Sequence, residues 1–360
     1  MEGLFSKLAG HQYISKIDLT KGYWQVPIAA KSRALTAFAT PNGLYQFKVM
    51  PFGLVNAGAS CARLMRKLLK GMNNVVSFVD DILVYTHTWE EHVRILVDLF
   101  ERLRKANLTA RPSKCSIAYS NMECLGHLVS GLGQRKPHPD KVGAIKDAPR
   151  PETKKQIRSF LGLIGFYRKF VPNFAVIASP LTDLTRKRQP TKISWGSCQE
   201  RAFNALKENL ISAPILKLPE LNKAFILRSD ASETGLGAVL LQEQEGVKLP
   251  IAYASRKLLP REQNYSVTEK ECLALVWGIV KFHTYLFERE FVLETDHQPL
   301  IYLNKAKVAN ARLMRWALTL QPYRFRIEAI RGSENVGTDY LSRMCFAGGF
   351  FPINCIMLLL

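Results

Sequence analysis

The stretch Asn74–Tyr85, NVVSFVDDILVY, sets two acids, Asp80 and Asp81, inside an otherwise largely apolar run. Val75, Val76, Phe78 and Val79 precede them and Ile82, Leu83, Val84 and Tyr85 follow, a composition that reads as buried strand. A carboxylate pair inside such a strand is costly unless it is paired or metal-bound. A hairpin with the aspartates at its tip removes the cost by giving them solvent or a cation. On this stretch alone, a plain Val-rich hairpin with an acidic turn serves as well as a functional one.

Upstream, Tyr13, Ile14 and Ile17 suggest a strand that ends at Asp18. Asn42-Gly43, between Phe38 and Leu44–Val49, reads as a hairpin turn. Met50–Gly58 carries Pro51, Gly53 and Gly58, a loop feeding a helix from about Ala59 to Leu69 with Arg63, Arg66, Lys67 and Lys70 on it. Thr88 and Glu91 have capping-box spacing, and Val93, Leu96, Val97, Phe100 and Leu103 follow at helical spacing. Strands are expected around Cys115–Tyr119 and Met122–Val129, and Pro137–Pro151 is a proline-rich boundary.

Ile157, Phe160, Leu161 and Ile164 give the next helix an apolar face. Phe166, Tyr167 and Phe170 interleave with Arg168 and Lys169, a pattern that suits either a nucleic-acid surface or an ordinary amphipathic helix. From Ala224 a second series begins: strands at Phe225–Arg228, Gly235–Gln242 and Pro250–Lys257, then a helix opened by the capping box Ser266–Glu269. Strands at Phe291–Glu294 and Tyr323–Ile330 and a short helix near Val336–Ser342 complete it.

Charge narrows the partner. Lys plus Arg number 50 against 30 acids, a net +20 over 360 residues, which favours a polyanion, most simply nucleic acid. The seven cysteines are scattered with no C-x-x-C pair, as in reduced intracellular proteins. No signal peptide opens the sequence, and the apolar tail Met344–Leu360 is shorter than a membrane span, so an intracellular protein without a membrane partner is expected.

The ordered motifs SKIDLTKGYWQVPI, MPFGLVNAG, FVDDILVY and CLGH, followed by RSFLGLIGFYRKFVPNFA, resemble the reverse transcriptases of gypsy-class long-terminal-repeat retrotransposons. SDASETGLGAVL, YSVTEKECLALV, ETDHQPL and GTDYLSR resemble the ribonuclease H domain of the same Pol polyproteins. The resemblance runs to Arg343. It implies an α+β and α/β multidomain protein: a right-hand polymerase with palm, partial fingers and thumb, then a ribonuclease H-like fold with a five-stranded mixed sheet. The expected divisions are 1–136 for palm and fingers, 137–190 for the thumb, 191–222 for a connector, 223–343 for ribonuclease H and 344–360 unassigned.

By the same resemblance, Asp18, Asp80 and Asp81 are the catalytic, metal-holding carboxylates of the polymerase. Tyr23, Phe52, Gly53, Asn56 and Lys114 fall in the nucleotide pocket, and Leu125-Gly126-His127 in the primer grip. Asp230, Glu271, Asp296 and Asp339 are the metal-holding carboxylates of the nuclease. Glu271 is preferred to Glu269, which the capping box already employs. Arg312, Arg315 and Trp316 are candidates for the substrate side, Trp316 being equally suited to the core. Two Mg²⁺ per active site, or Mn²⁺, would serve phosphoryl transfer, with an RNA template, a DNA primer, deoxynucleotides and RNA–DNA hybrids as partners. The sequence leaves the oligomeric state open.

Departures from the family pattern shape a further expectation. The basic fingers segment that precedes the Asp18 strand in the family is absent, NAGASC replaces an NAPATF-like run, and GTDYLSR replaces a VADALSR-like one. The alternatives are therefore ribonuclease H activity alone, or a non-catalytic nucleic-acid-binding remnant.

Overall fold

A computed structural model describes residues 2–79, 81–131, 133–187, 189–190, 193–296 and 311–330. Asp80, Asp339, the helix expected near Val336–Ser342 and the tail 344–360 lie outside the described residues. The chain divides into two compact units, Met1–Arg135 and Lys136–Leu360.

The first unit opens with α1 (Glu2–Leu8) and the strand β1 (Tyr13–Asp18), then a single helical turn α2 (Ala30–Arg33) and the hairpin β2 (Phe38–Thr40) and β3 (Gly43–Tyr45). The helix α3 (Ala57–Leu68), the hairpin β4 (Val75–Phe78) and β5 (Asp81–Thr86), and the long helix α4 (Trp89–Lys105) follow. Strands β6 (Ser116–Tyr119), β7 (Asn121–Cys124), β8 (His127–Ser130) and β9 (Gln134–Pro137) complete the series. The central sheet has the order β4-β5-β1-β6. Side-chain alternation gives it two unlike faces. Ile17, Ile82 and Val84 face Leu96, Leu99 and Leu103 of α4 and Cys61 and Met65 of α3, forming one core.

Four local expectations need correction here. The β2–β3 turn is Pro41-Asn42, one residue early, because Gly43 pairs with Thr40 and belongs to the strand. Met122–Val129 is not one strand: Leu125 and Gly126 both take positive φ, 50° and 73°, and fold it into the β7–β8 hairpin. Thr88 caps α4 by accepting from the Glu91 amide, while the Glu91 carboxylate accepts from Asn74 Nδ2. The buried face of α4 is His92, Leu96, Leu99 and Leu103, leaving Val93, Val97 and Phe100 exposed.

In the second unit, α5 (Pro139–Lys146), α6 (Lys154–Phe166), α7 (Phe174–Ile177), α8 (Ser179–Leu184) and α9 (Ser197–Ile211) share one apolar core. Tyr167 and Phe170 lie inside that core, 1% exposed each, so neither faces a nucleic acid. Their burial satisfies the helical assembly, and of the three aromatics only Phe166 stays outside.

After β10 (Leu216–Lys217) come β11 (Phe225–Ala231), β12 (Gly235–Gln244) and β13 (Val247–Lys257), the helices α10 (Pro260–Gln263), α11 (Val267–Lys281) and α12 (His283–Leu286), then β14 (Glu290–Thr295), α13 (Ala311–Leu320) and β15 (Arg324–Ala329). The sheet order is β13-β12-β11-β14-β15, antiparallel through the first three strands and parallel from β11 to β15. This is the expected five-stranded mixed sheet. Residues of α11 such as Cys272, Leu275 and Ile279 bury Phe225, Leu227 and Leu240 on one face. Trp316 packs against that same core, so it reads as scaffold. The edge strand β13 also meets the helical segment of this unit. Arg168 donates to the Ser255 carbonyl, and a Cβ on Gly235 would stand 2.7 Å from Val176 Cγ2.

Candidate active sites

In the first unit, β1 lies antiparallel to β5 with Ile17 opposite Ile82 and Asp18 opposite Asp81. Asp18 and Asp81 thus end up side by side on the sheet face away from α4. Because β-strand side chains alternate, the adjacent residues Ile17 and Ile82 point the other way and fill the core. Phe78 also pairs with Asp81, so Asp81 opens the strand and the β4–β5 turn begins at Val79. Val79 takes φ 58° there, a left-handed conformation that a β-branched residue adopts only under local constraint.

A residue absent from the sequence-derived site stands beside these acids. Lys16, two positions before Asp18 on the same face, places its Nζ 3.2 Å from Asp81 Oδ2. Cys124 is near both: its thiol is pushed up to about 12, chiefly by burial, with Lys16 opposing the rise and Asp81 and Glu123 adding to it. The period-two spacing of Lys16 and Asp18 was the available signal.

The expected nucleotide-pocket residues are gathered in part. The Tyr23 and Phe52 rings meet edge to face, 5.5 Å between centroids at 79°. Gly53, with φ 94°, supplies the turn behind Phe52 that a side-chain-bearing residue would strain. Asn56 stands at the start of α3 without a side-chain capping bond. Lys114 is exposed in a short turn whose Arg111 amide donates to the Asp18 carbonyl at 2.8 Å, so its segment is docked against the acid-bearing strand. His127 is buried and meets Phe5 edge on.

In the second unit, Asp230 lies near the end of β11 and Asp296 directly follows β14, the parallel neighbour of β11. Glu271 sits in the second turn of α11 and accepts from the Ala231 amide at 3.4 Å. Burial pushes the Glu271 carboxyl up to about 8, with Asp230 and Asp296 adding to the rise and the Ala231 amide opposing it. Three acids from three elements therefore share one electrostatic neighbourhood. Glu269 remains in its capping box and also takes an ion pair from Arg312 at 2.6 Å, so Arg312 is committed to α11 and stacks over Tyr265.

Among the described residues, no three His, Cys, Asp or Glu side chains are gathered closely enough to cage a metal. The donor chemistry nonetheless suits a hard divalent cation. All the candidate donors are carboxylates. Glu271 resists ionisation beside two acids, a repulsion that added positive charge relieves, and the Lys16 ammonium already occupies the cationic position next to Asp81.

Comparison with known proteins finds two families in succession along the chain. Residues 2–162 match the family described as reverse transcriptase (RNA-dependent DNA polymerase). Residues 220–323 match the RNase H-like domain found in reverse transcriptase. The chain belongs to the reverse transcriptase–ribonuclease H portion of retrotransposon Pol polyproteins. It is 42% identical over 347 residues to the Retrovirus-related Pol polyprotein from transposon 297 of Drosophila melanogaster, covering 96% of this chain and 32% of that protein. Identity to the Pol polyprotein from transposon gypsy of the same organism is 35% over 353 residues, covering 94% and 34%. The chain thus spans about a third of the length of these Pol polyproteins. Among solved structures, it resembles the foamy viral protease-reverse transcriptase in complex with double-stranded DNA, with TM-score 0.81, 26% identity, and 92% and 70% of the two chains covered. A second foamy viral structure, the dRH form with double-stranded DNA, gives TM-score 0.82 and 26% identity over 91% and 58%. No described helix of this Pol segment is long and apolar enough to cross a membrane.

Proposed function

We propose that this chain is an RNA-directed DNA polymerase with ribonuclease H activity, acting on an RNA template with a DNA primer and on RNA–DNA hybrids. One relation carries the reading: in each unit, acids from different elements converge at the end of a central strand, Asp18 with Asp81 and Asp230 with Glu271 and Asp296.

In the first unit, Asp18 and Asp81, with Asp80 adjoining in sequence, would hold Mg²⁺ or Mn²⁺. Tyr23 and Phe52 would shape the wall against which a deoxynucleotide rests, with Gly53, Asn56 and Lys114 nearby in the same segments. In the second unit, Asp230, Glu271 and Asp296, with Asp339 from the C-terminal segment, would hold the ions for hydrolysis. When bound, such ions lower the cost of the charge that develops on attacking and leaving oxygens. The protein's own contribution is to fix these carboxylates on elements anchored in core, β1 and β5 for Asp18 and Asp81 and β11 and α11 for Asp230 and Glu271, so that they are placed before substrate arrives. Arg63, Arg66 and Lys67 on the exposed side of α3 supply positive charge for the nucleic-acid backbone. The foamy viral relatives bound to double-stranded DNA support a duplex partner.

Primer extension on an RNA template and cleavage of a labelled RNA–DNA hybrid test the two halves separately. Extension lost in Asp18→Asn and cleavage lost in Asp296→Asn are the expected results. No extension above the Asp18→Asn background would leave a ribonuclease H alone. Salt-dependent hybrid binding with neither reaction would leave a nucleic-acid-binding protein.

A further inference from the structure

On the face of the sheet opposite the Asp18–Asp81 pair, and farther along β1 and β5, lies a fully buried polar network in the apolar interface with α4. His92 of α4, Ser15 of β1 and Thr86 of β5 are each 0% exposed. His92 Nε2 is 2.7 Å from Ser15 Oγ, and His92 Nδ1 is 2.9 Å from Thr86 Oγ1. Ser15 Oγ also accepts the Ala118 amide at 2.8 Å, and Thr86 Oγ1 donates to the Thr88 carbonyl at 3.1 Å.

These partners fix the proton positions. The Thr86 hydroxyl spends its hydrogen on Thr88, so it can only accept from the imidazole, and His92 carries its proton on Nδ1. Ser15 is then free to donate to Nε2 while accepting from Ala118. The alternative tautomer would leave the Thr88 carbonyl and the Ser15 hydroxyl hydrogen without these bonds, a loss that buried groups tolerate poorly. The pattern is assigned from the heavy-atom partners.

The network does more than fill a gap. It ties α4 to β1 three residues before Asp18 and to β5 five residues after Asp81, the two strands whose register sets the acids opposite each other. It also holds Ala118, at φ 57°, where the β1–β6 register shifts between Ile14 and Lys16. We infer that His92, as a neutral Nδ1–H imidazole bonded to Ser15 and Thr86, is a positioning residue that locks the β1–β5 register and so the spacing of Asp18 and Asp81. The inference rests on the polymerase reading of that acid pair, and deepens it by naming what holds the pair in place.

Two measurements on the full chain decide it. Long-range ¹H–¹⁵N correlation spectra should show His92 as the neutral Nδ1–H tautomer at pH 7; an imidazolium or an Nε2–H tautomer overturns the assignment. Mn²⁺ binding, followed by electron paramagnetic resonance in an Asp230→Asn/Asp296→Asn background, reads the first site alone. Binding there should weaken about tenfold in His92→Phe and in the milder Thr86→Val. It should recover to within about threefold in His92→Asn, whose amide can donate to Thr86. Unchanged Mn²⁺ affinity in Thr86→Val, with the chain folded by circular dichroism, overturns the positioning role. Primer extension by the parent chain tests the polymerase reading separately, so a parent that binds Mn²⁺ without extending primer refutes that reading and leaves the positioning role standing.

Discussion

Lys16 and Asp81 form an ion pair across β1 and β5, 3.2 Å apart, on the face that carries Asp18. The lysine screens Asp81 from Asp18 when no cation is present, and it competes with any cation that arrives. Lys16→Met should therefore lower the Mg²⁺ concentration for half-maximal primer extension by about threefold to tenfold, the span of about 0.6–1.4 kcal/mol expected for one partly buried charge. The metal-free variant should unfold at a lower temperature than the parent. A raised metal requirement would show that Lys16 serves the bound state instead.

Glu271 makes stability depend on pH in an unusual direction for an acid. Its carboxyl is pushed from 4.5 up to about 8, so folding favours the neutral form. The contribution is complete below about pH 4.5 and is lost as the pH rises through about 8. In the metal-free chain, the second unit should lose on the order of a few kcal/mol between those limits. Thermal unfolding in chelator from pH 5 to pH 8.5 measures this, and Glu271→Gln should flatten the dependence. Added Mg²⁺ should restore stability at pH 8.5 in the parent and not in Glu271→Gln.

Glu294 is 2% exposed in its side chain yet ionised, holding Arg228 at 2.6 Å and Lys248 at 2.5 Å. Burial alone would raise its carboxyl, but hydrogen bonds from Lys248 and Arg228, with their charges, hold it below the usual range. Glu294→Leu removes the carboxylate that Arg228 and Lys248 share and should cost about 3–5 kcal/mol. Arg228→Leu/Glu294→Leu should recover most of that, because a well-packed apolar pair can replace a buried ion pair. Chemical denaturation of the three chains reads the difference, and equal stability of single and double variants contradicts it.

Gly235 begins β12 where the sheet meets α7. A Cβ there would stand 2.7 Å from Val176 Cγ2 and 3.2 Å from the Arg256 carbonyl oxygen. Gly235→Ala should destabilise the chain by about 1–3 kcal/mol. Pairing it with Val176→Ala should return part of the loss, since one of the two close approaches is then gone. The Arg256 carbonyl keeps the rescue incomplete.

Much of this arrangement was legible in the residues because strand alternation is a strong signal. Asp18 at the end of Tyr13–Ile17, the hairpin around Val79, and the order of strands in the second unit all follow from short β-branched runs punctuated by polar residues, but Asp81 opens β5 and pairs with Phe78 and Asp18 where the sequence placed it at the hairpin tip. Helix α4 shows where that reasoning stops. Val93, Val97 and Phe100 and the observed Leu96, Leu99 and Leu103 both have helical spacing, so periodicity alone cannot say which stripe is covered. His92 was missed for the same reason: an imidazole aligned with a leucine stripe is invisible until its hydroxyl partners, 77 and 6 positions away, are brought to it. The buried Tyr167 and Phe170 resembled exposed aromatics because Arg168 and Lys169 stand between them, yet Arg168 itself turns inward to the Ser255 carbonyl and the Phe174 ring. The Lys16 pair depended on a cross-strand register that no local window contains.

The two-faced character of β1 has a consequence for how the first unit can change. Ile17 is 0% exposed in the core with α3 and α4, while Asp18 takes the other face at the strand's open end. Deleting one residue between Tyr13 and Ile17 would exchange the two faces, sending Asp18 into hydrocarbon and Ile17 onto the acid-bearing face. Such a lesion removes catalysis and folding in the same stroke, whereas Asp18→Asn leaves the register and its buried hydroxyl–imidazole staple in place. Loss by substitution should therefore yield folded, nucleic-acid-binding but inert chains, and loss by a single-residue deletion should yield none.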